Sequence, residues 1–169
     1  MVSKQRGFTL IELIIVIVIL GILTVVAAPR FIDISSDAKI SVLNGIAGNI
    51  RSTVSLVQHK ARIKGLTTTS TNPGTGQSEL IVDFGFAETE LYFGNLCPEA
   101  ESELGDAVDF FEFMEISSDE NLLRRTDNQY ALIGYDVPSS GVPTDQGCYV
   151  IYDSFAEPNC TVEVVDIDC

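Results

Sequence analysis

Hydrophobic positions follow three regimes along the chain. From Phe8 to Ala28 they are nearly continuous, 21 residues in which Glu12 is the only charge. From Phe31 to Ala61 they thin to a single face. Phe31, Ile34, Ala38, Val42, Ile46, Ile50, Val54, Val57 and Ala61 recur at steps of three and four, the spacing of an amphipathic helix. Arg30, Lys39, Arg51, Lys60 and Arg62 are then available for the remaining surface. A basic last turn and a glycine cap place the end of this helix near Lys64-Gly65. Beyond Gly65 the apolar residues fall into short runs. Leu80–Phe84, Tyr130–Tyr135, Cys148–Tyr152 and Thr161–Ile167 are predicted strands. "LTTTSTNPGTGQS", residues 66–78, reads as a polar loop turning at Asn-Pro-Gly. Residues 99–115 are a candidate helix, weakened by Gly105.

The first two regimes join without a break, so one helix is expected over residues 8–64. At 1.5 Å per residue it would be roughly 85 Å long. A following region of about 105 residues is too small to enclose it. The first half must therefore bury its apolar surface in something else. Two residues weaken the helix: Gly21 has poor helix propensity, and Pro29 removes a backbone donor. A kink or local unwinding is expected between them. A long helix followed by short predicted strands makes the fold class α+β.

Charge sharpens the division. Residues 1–64 hold eight of the ten Lys and Arg and three acids, a net of +5, whereas residues 65–169 hold two basic residues and 21 acids, a net of −19. So acidic a region does not suit nucleic acid, whose phosphates need Lys and Arg, nor anionic lipid. All four cysteines, Cys97, Cys148, Cys160 and Cys169, lie in the acidic part, with no CxxC pair. The sole histidine, His59, lies outside that region. One or two disulfides in an oxidising compartment are expected rather than a zinc site. No cofactor and no metal are expected.

The N-terminus suits two ordinary readings. "MVSKQR" could open a signal peptide with Val26-Ala27-Ala28 as its cleavage site. Alternatively, 21 apolar residues at 1.5 Å reach roughly 30 Å, enough for a single-pass anchor with Lys4 and Arg6 cytoplasmic. Neither gives Glu12 a purpose, although a carboxylate in a membrane helix costs several kcal/mol by insertion scales.

A short basic leader ending in Gly7, followed by Phe8-Thr9-Leu10-Ile11-Glu12, resembles a type IV prepilin of the type IVa class. Pro29 falls where that family commonly has a proline. "APRFIDISSDAKISVLNGIAGNIRSTVSLVQHKARIKG" is also similar to the mannose-sensitive haemagglutinin pilins of Gram-negative bacteria, and the likeness covers about the first 65 residues. The resemblance implies the type IV pilin fold, with the apolar half of the helix protruding and the amphipathic half packed on a small antiparallel sheet. It implies three segments: a leader, 1–7; a helix, 8–64, whose residues 8–28 are the transmembrane and filament-core part; and an acidic head, 65–169. It implies cleavage between Gly7 and Phe8 by a prepilin peptidase, N-methylation of Phe8, and pairing of Glu12 with the Phe8 amine of a neighbouring subunit. Gly21 and Pro29 would be the site of helix kinking or melting. Leaving one partner of a buried ion pair unpaired costs about 3–5 kcal/mol, so the pair would fix axial register. Lys4 and Arg6 would hold the precursor in the membrane until cleavage.

The implied function is that of a structural, adhesive pilus subunit, not an enzyme. It would pass from the inner membrane to an extracellular fibre. Its partners would be copies of itself, the peptidase and methyltransferase, the inner-membrane assembly machinery and a host or surface receptor. A type II secretion pseudopilin is the alternative. The C-terminal "GCYVIY…VEVVDIDC" resembles the family's disulfide-bounded loop, which implies Cys148–Cys169 and leaves Cys97–Cys160 as a second pair. The residues alone allow three pairings. If 148–152 and 161–167 form a hairpin centred near residue 156, Cys160 falls opposite about residue 152, too far along the strand to bond Cys148.

The other polar residues carry less. Arg124-Arg125 is expected to pair with acidic neighbours, the alternative being a contact to the next subunit, and His59 to be solvated or loosely packed. The acids of "PEAESELGD" and "VVDIDC" lack the spacing of a calcium loop. Asn159-Cys160-Thr161 is a sequon of little weight in bacteria.

Overall fold

A computed structural model describes residues 9–116 and 122–169, and for residues 25–34 the backbone alone. The chain divides into two units, residues 1–38 and 39–169. Helix α1 (Leu10–Ile63) is helical through both Gly21 and Pro29. The expected weak points therefore do not end the helix, and Thr24 Oγ1 donates to the Gly21 carbonyl at 2.9 Å. α1 stops where the sequence puts a glycine. Gly65 adopts φ +86°, its N–H donates to Arg62, and the Leu66 N–H donates to Ala61. This double closure satisfies carbonyls that a helix end otherwise leaves bare.

In the second unit a polar loop and a 3₁₀ turn, Gly74–Glu79, lead into a two-stranded antiparallel sheet. It comprises β1 (Ile81–Asp83) and β2 (Glu88–Glu90). After α2 (Phe110–Phe113) a four-stranded antiparallel sheet follows in the order β3-β4-β5-β6. Its strands are β3 (Leu123–Thr126), β4 (Tyr130–Asp136), β5 (Cys148–Asp153) and β6 (Thr161–Val165). The inner face presents Ala131, Ile133, Val150 and Tyr152 to Leu43, Ala47, Ile50 and Val54 of α1. A second cluster joins Val57 and Ala61 to Leu80, Val82 and Leu91 around the small sheet. The outer face buries Leu132, Tyr149 and Ile151, with the Tyr149 hydroxyl donating to the Thr144 carbonyl at 2.7 Å. Gly134 lies where β4 crosses β5 most closely, and a Cβ there would collide with the Tyr149 and Cys148 backbone.

The expected helix over 99–115 is reduced to the four residues of α2. Carboxylates take the backbone donors that such a helix would use. Glu90 Oε2 accepts from the N–H groups of Glu103 (2.8 Å) and Leu104 (3.1 Å), and Asp109 Oδ1 accepts from Ser102 N (3.1 Å). Gly105 then turns the chain at φ +62°. Local side-chain acceptors compete with helix formation in this way. β2 and β3 were not expected.

Burial of these acids has a measurable consequence. Glu90 and Glu99 are only 3% and 6% exposed, and their backbones are joined by a hydrogen bond from Glu99 N to Glu90 O, 2.8 Å. Burial, with the Glu90 and Glu103 charges nearby, raises the Glu99 pKa from an ordinary 4.5 to about 8. Between those values the folded chain keeps a proton that the unfolded chain has released, so stability falls as pH rises through that window. Thermal unfolding should therefore occur at a lower temperature at pH 8.5 than at pH 5.5, and Glu99→Gln should flatten that slope. An unchanged slope in the variant would remove Glu99 as its cause.

Candidate assembly site

Thr9 and Glu12 form a reciprocal cap on the first turn of α1. The Thr9 hydroxyl and backbone N–H both donate to Glu12 Oε2, at 2.6 and 2.9 Å. The Glu12 N–H in turn reaches Thr9 Oγ1 at 3.4 Å. This is a capping box, with threonine before the first helical residue and glutamate three positions later. Glu12 thus has a role within its own chain, which the sequence analysis missed although Thr-x-x-Glu before an apolar run signals it. Oε1 takes no hydrogen bond among the described residues. Gly7 and Phe8 lie outside the described residues, so their relation to Glu12 is not part of this geometry.

Along the following turns the apolar side chains from Leu10 to Leu23 stand 45–75% exposed. The stretch whose side chains are described ends at Thr24. Among the described residues no helix is long and apolar enough to cross a membrane.

In the second unit the four cysteines form Cys97–Cys160 and Cys148–Cys169, with Cα separations of 6.2 and 4.9 Å. The β5–β6 register differs from the expected one by two residues. Tyr152 pairs with Val162 and Asp153 with Thr161, so the turn centres near residue 157. Cys160 therefore falls beyond the end of β5, farther from Cys148 than the expected register put it. The last residues fold back on the start of β5. Gly147 N donates to Asp168 Oδ2 (2.7 Å), Asp168 N donates to Gly147 O (3.1 Å), and Lys39 Nζ donates to Cys169 O (3.0 Å). The other disulfide sits in a polar nest that the sequence did not disclose. Buried Gln58 donates to Asn95 O (3.1 Å) and Asn159 Oδ1 (2.7 Å), and Asn95 donates to the Ser154 and Ala156 carbonyls.

The remaining expectations resolve simply. Arg124 donates to the Ile116 carbonyl and lies 6.0 Å from the Phe111 ring. Those are its contacts among the described residues; the neighbouring acids Asp119 and Glu120 lie outside them. His59 is exposed.

Comparison with known proteins bears on the N-terminal part. A family model described as the prokaryotic N-terminal methylation motif matches residues 2–28. The chain is 42% identical over 59 residues to the type IV narrow pilus major component PilA5 of Thermus thermophilus, covering 35% of this chain and 51% of that one. It is 39% identical over 54 residues to the type IV major fimbrial protein FimA of Dichelobacter nodosus, covering 32% and 35%. It is 54% identical over 39 residues to the type IV major pilin protein PilE1 of Neisseria gonorrhoeae, covering 23% and 24%. The chain thus matches about half the length of the first of these relatives and less of the others. No solved structure matches. The methylation motif and these pilus and fimbrial relatives thus all bear on a minor part of the chain, the part where α1 begins.

The Cys148–Cys169 bond closes a loop of 21 residues, worth roughly 3 kcal/mol in the chain-entropy model. Changing both cysteines to serine should lower the stability of the full chain by about that amount. It should also raise amide exchange over residues 161–169. Wild-type protection there in the double variant would show that hydrogen bonds alone hold the C-terminus.

Proposed function

We propose that this chain is the structural subunit of a type IV pilus and not an enzyme. The observation that carries this reading is an apolar helix, Leu10 to Leu23, exposed on all sides and headed by a capped carboxylate. Residues 1–7 are the leader, cut between Gly7 and Phe8. Residues 8–28 anchor the precursor in the inner membrane and then pack in the core of an extracellular fibre. Residues 29–64 carry the head, 65–169. The prepilin peptidase that cuts the chain also methylates Phe8, and the inner-membrane machinery draws the freed subunit outward. Within the fibre the Phe8 amine of a neighbour pairs with Glu12, whose Oε1 is still open to a donor. Gly21 and Pro29, helical in the single chain, are where α1 melts or kinks during packing.

Two features of the second unit support polymerisation. Gly45 and Gly48 lie mid-helix where, beyond the adjoining helix itself, no atom of the described residues comes within 4 Å of where a Cβ would stand. Each costs about 1 kcal/mol against alanine, and packing within the chain offers no return for it. They leave a shallow strip along α1 for another copy. The disulfide-closed C-terminus also favours a pilin over a secretion pseudopilin, as do relatives named as pilus components. Attachment to a host or abiotic surface, and kinship with the haemagglutinin pilins, rest on the likeness of residues 29–65 alone.

The two roles of Glu12 can be separated. Glutamine preserves a capping box and removes the charge, whereas alanine removes both. If the charge sets register, Glu12→Gln and Glu12→Ala should each cut surface fibres at least about tenfold, since an unpaired buried partner costs about 3–5 kcal/mol. Membrane-held subunit should rise in both strains. Wild-type fibre counts from Glu12→Gln would leave capping as the only role.

A further inference from the structure

The charge of the second unit is unevenly divided along the chain. Residues 39–64 contain five Lys and Arg and no acid, while residues 65–169 carry a net −19. Four of those five cations are engaged within the chain. Lys39 donates to Cys169 O, Arg51 to Val162 O and Lys64 to Ile81 O, and Lys60 lies 4.2 Å from the Phe84 ring. Arg62 has no partner among the described residues and is exposed. Beside it Ile63 is 86% exposed, and Leu56, two turns earlier on the same face, is 57% exposed. The end of α1 is thus an apolar knob beside a free cation.

A shallow groove of about 550 Å³ lies along β6, between that strand and the loop preceding β5. Its apolar wall is Ile151, Val165 and Ile167, the last 70% exposed. Its charged members are Asp145, Glu163 and Asp166, all acidic. Knob and groove match in both respects, apolar against apolar and cation against acid, yet each stands open in the single chain. Resting on the pilus reading, we propose that Arg62 and Ile63 of one copy dock into the Glu163–Ile167 groove of the next. A knob and a groove on different parts of one chain make a head-to-tail contact, which propagates into a filament when the rotation does not close. The contact also offsets repulsion between acidic heads, because each head receives the Arg62 cation of its neighbour.

The test is a charge exchange. Arg62→Glu and Glu163→Arg should each reduce sheared surface fibres at least about fivefold, and the two together should restore them to within about twofold of wild type. Both side chains are exposed, so neither single change touches the core. Independently, Ile63→Cys with Ile167→Cys in one chain should give a ladder of disulfide-linked multimers from oxidised fibres, and neither single variant should. Wild-type fibres together with a double charge variant no better than the singles, or with cysteine-variant fibres that give no ladder, would overturn the contact and leave the pilus reading intact. Absence of fibres from the wild-type chain would overturn that reading and the contact with it.

Discussion

Apolar side chains along α1 from Leu10 to Leu23 that nothing among the described residues covers call for cover from elsewhere. The hydrophobic gain per buried leucine or isoleucine is about 1.5–3 kcal/mol. A dozen such side chains between Leu10 and Leu23, each 45% exposed or more, therefore form a large reservoir of unrealised stability. Lipid can hold that surface before assembly, and other copies can hold it afterwards. The second unit uses the same helix differently. There Leu43, Ala47, Ile50 and Val54 are already buried against the sheet, and only the opposite strip is left for a neighbour. On the proposed pilus reading, one helix serves as a core element at one end and as an assembly element at the other.

On the same reading, Glu12 is one carboxylate that serves both the lone chain and the assembled one. A bare carboxylate among apolar side chains would be costly, but Thr9 supplies two donors to one of its oxygens. The cap spares the helix an unsatisfied first turn and leaves the second oxygen for a donor from outside. A buried ion pair adds little net stability, so its value in a fibre lies in register, which unpatterned apolar contact cannot specify.

The legible parts of this fold were those with a strong period or a stereochemical stop. Steps of three and four residues marked α1 to within a few residues, and Gly65 ended it because φ +86° suits a residue without a Cβ. The four strands with apolar runs were found near their true bounds. β3 was missed because Leu123–Thr126 is an edge strand with no buried residue, so no hydrophobic pattern marks it. β2 was missed because Glu90 is buried as a backbone-capping acceptor, which inverts the usual reading of an acid. The hairpin register slipped by two because its connection, not its strands, fixes the offset. Within the candidate assembly site Glu12 stood out as an anomaly, and its partner Thr9 was legible in the Thr-x-x-Glu spacing but was passed over.

The central claim is that the helix becomes an assembly element once the leader is removed. Intact-mass and N-terminal peptide analysis of subunits sheared from the cell surface tests it most directly. The account predicts a chain that begins at Phe8 and carries one methyl group on its amine, with both disulfides closed. A surface protein that retains residues 1–7, or one cut after Ala28 and so stripped of the apolar helix, would contradict it.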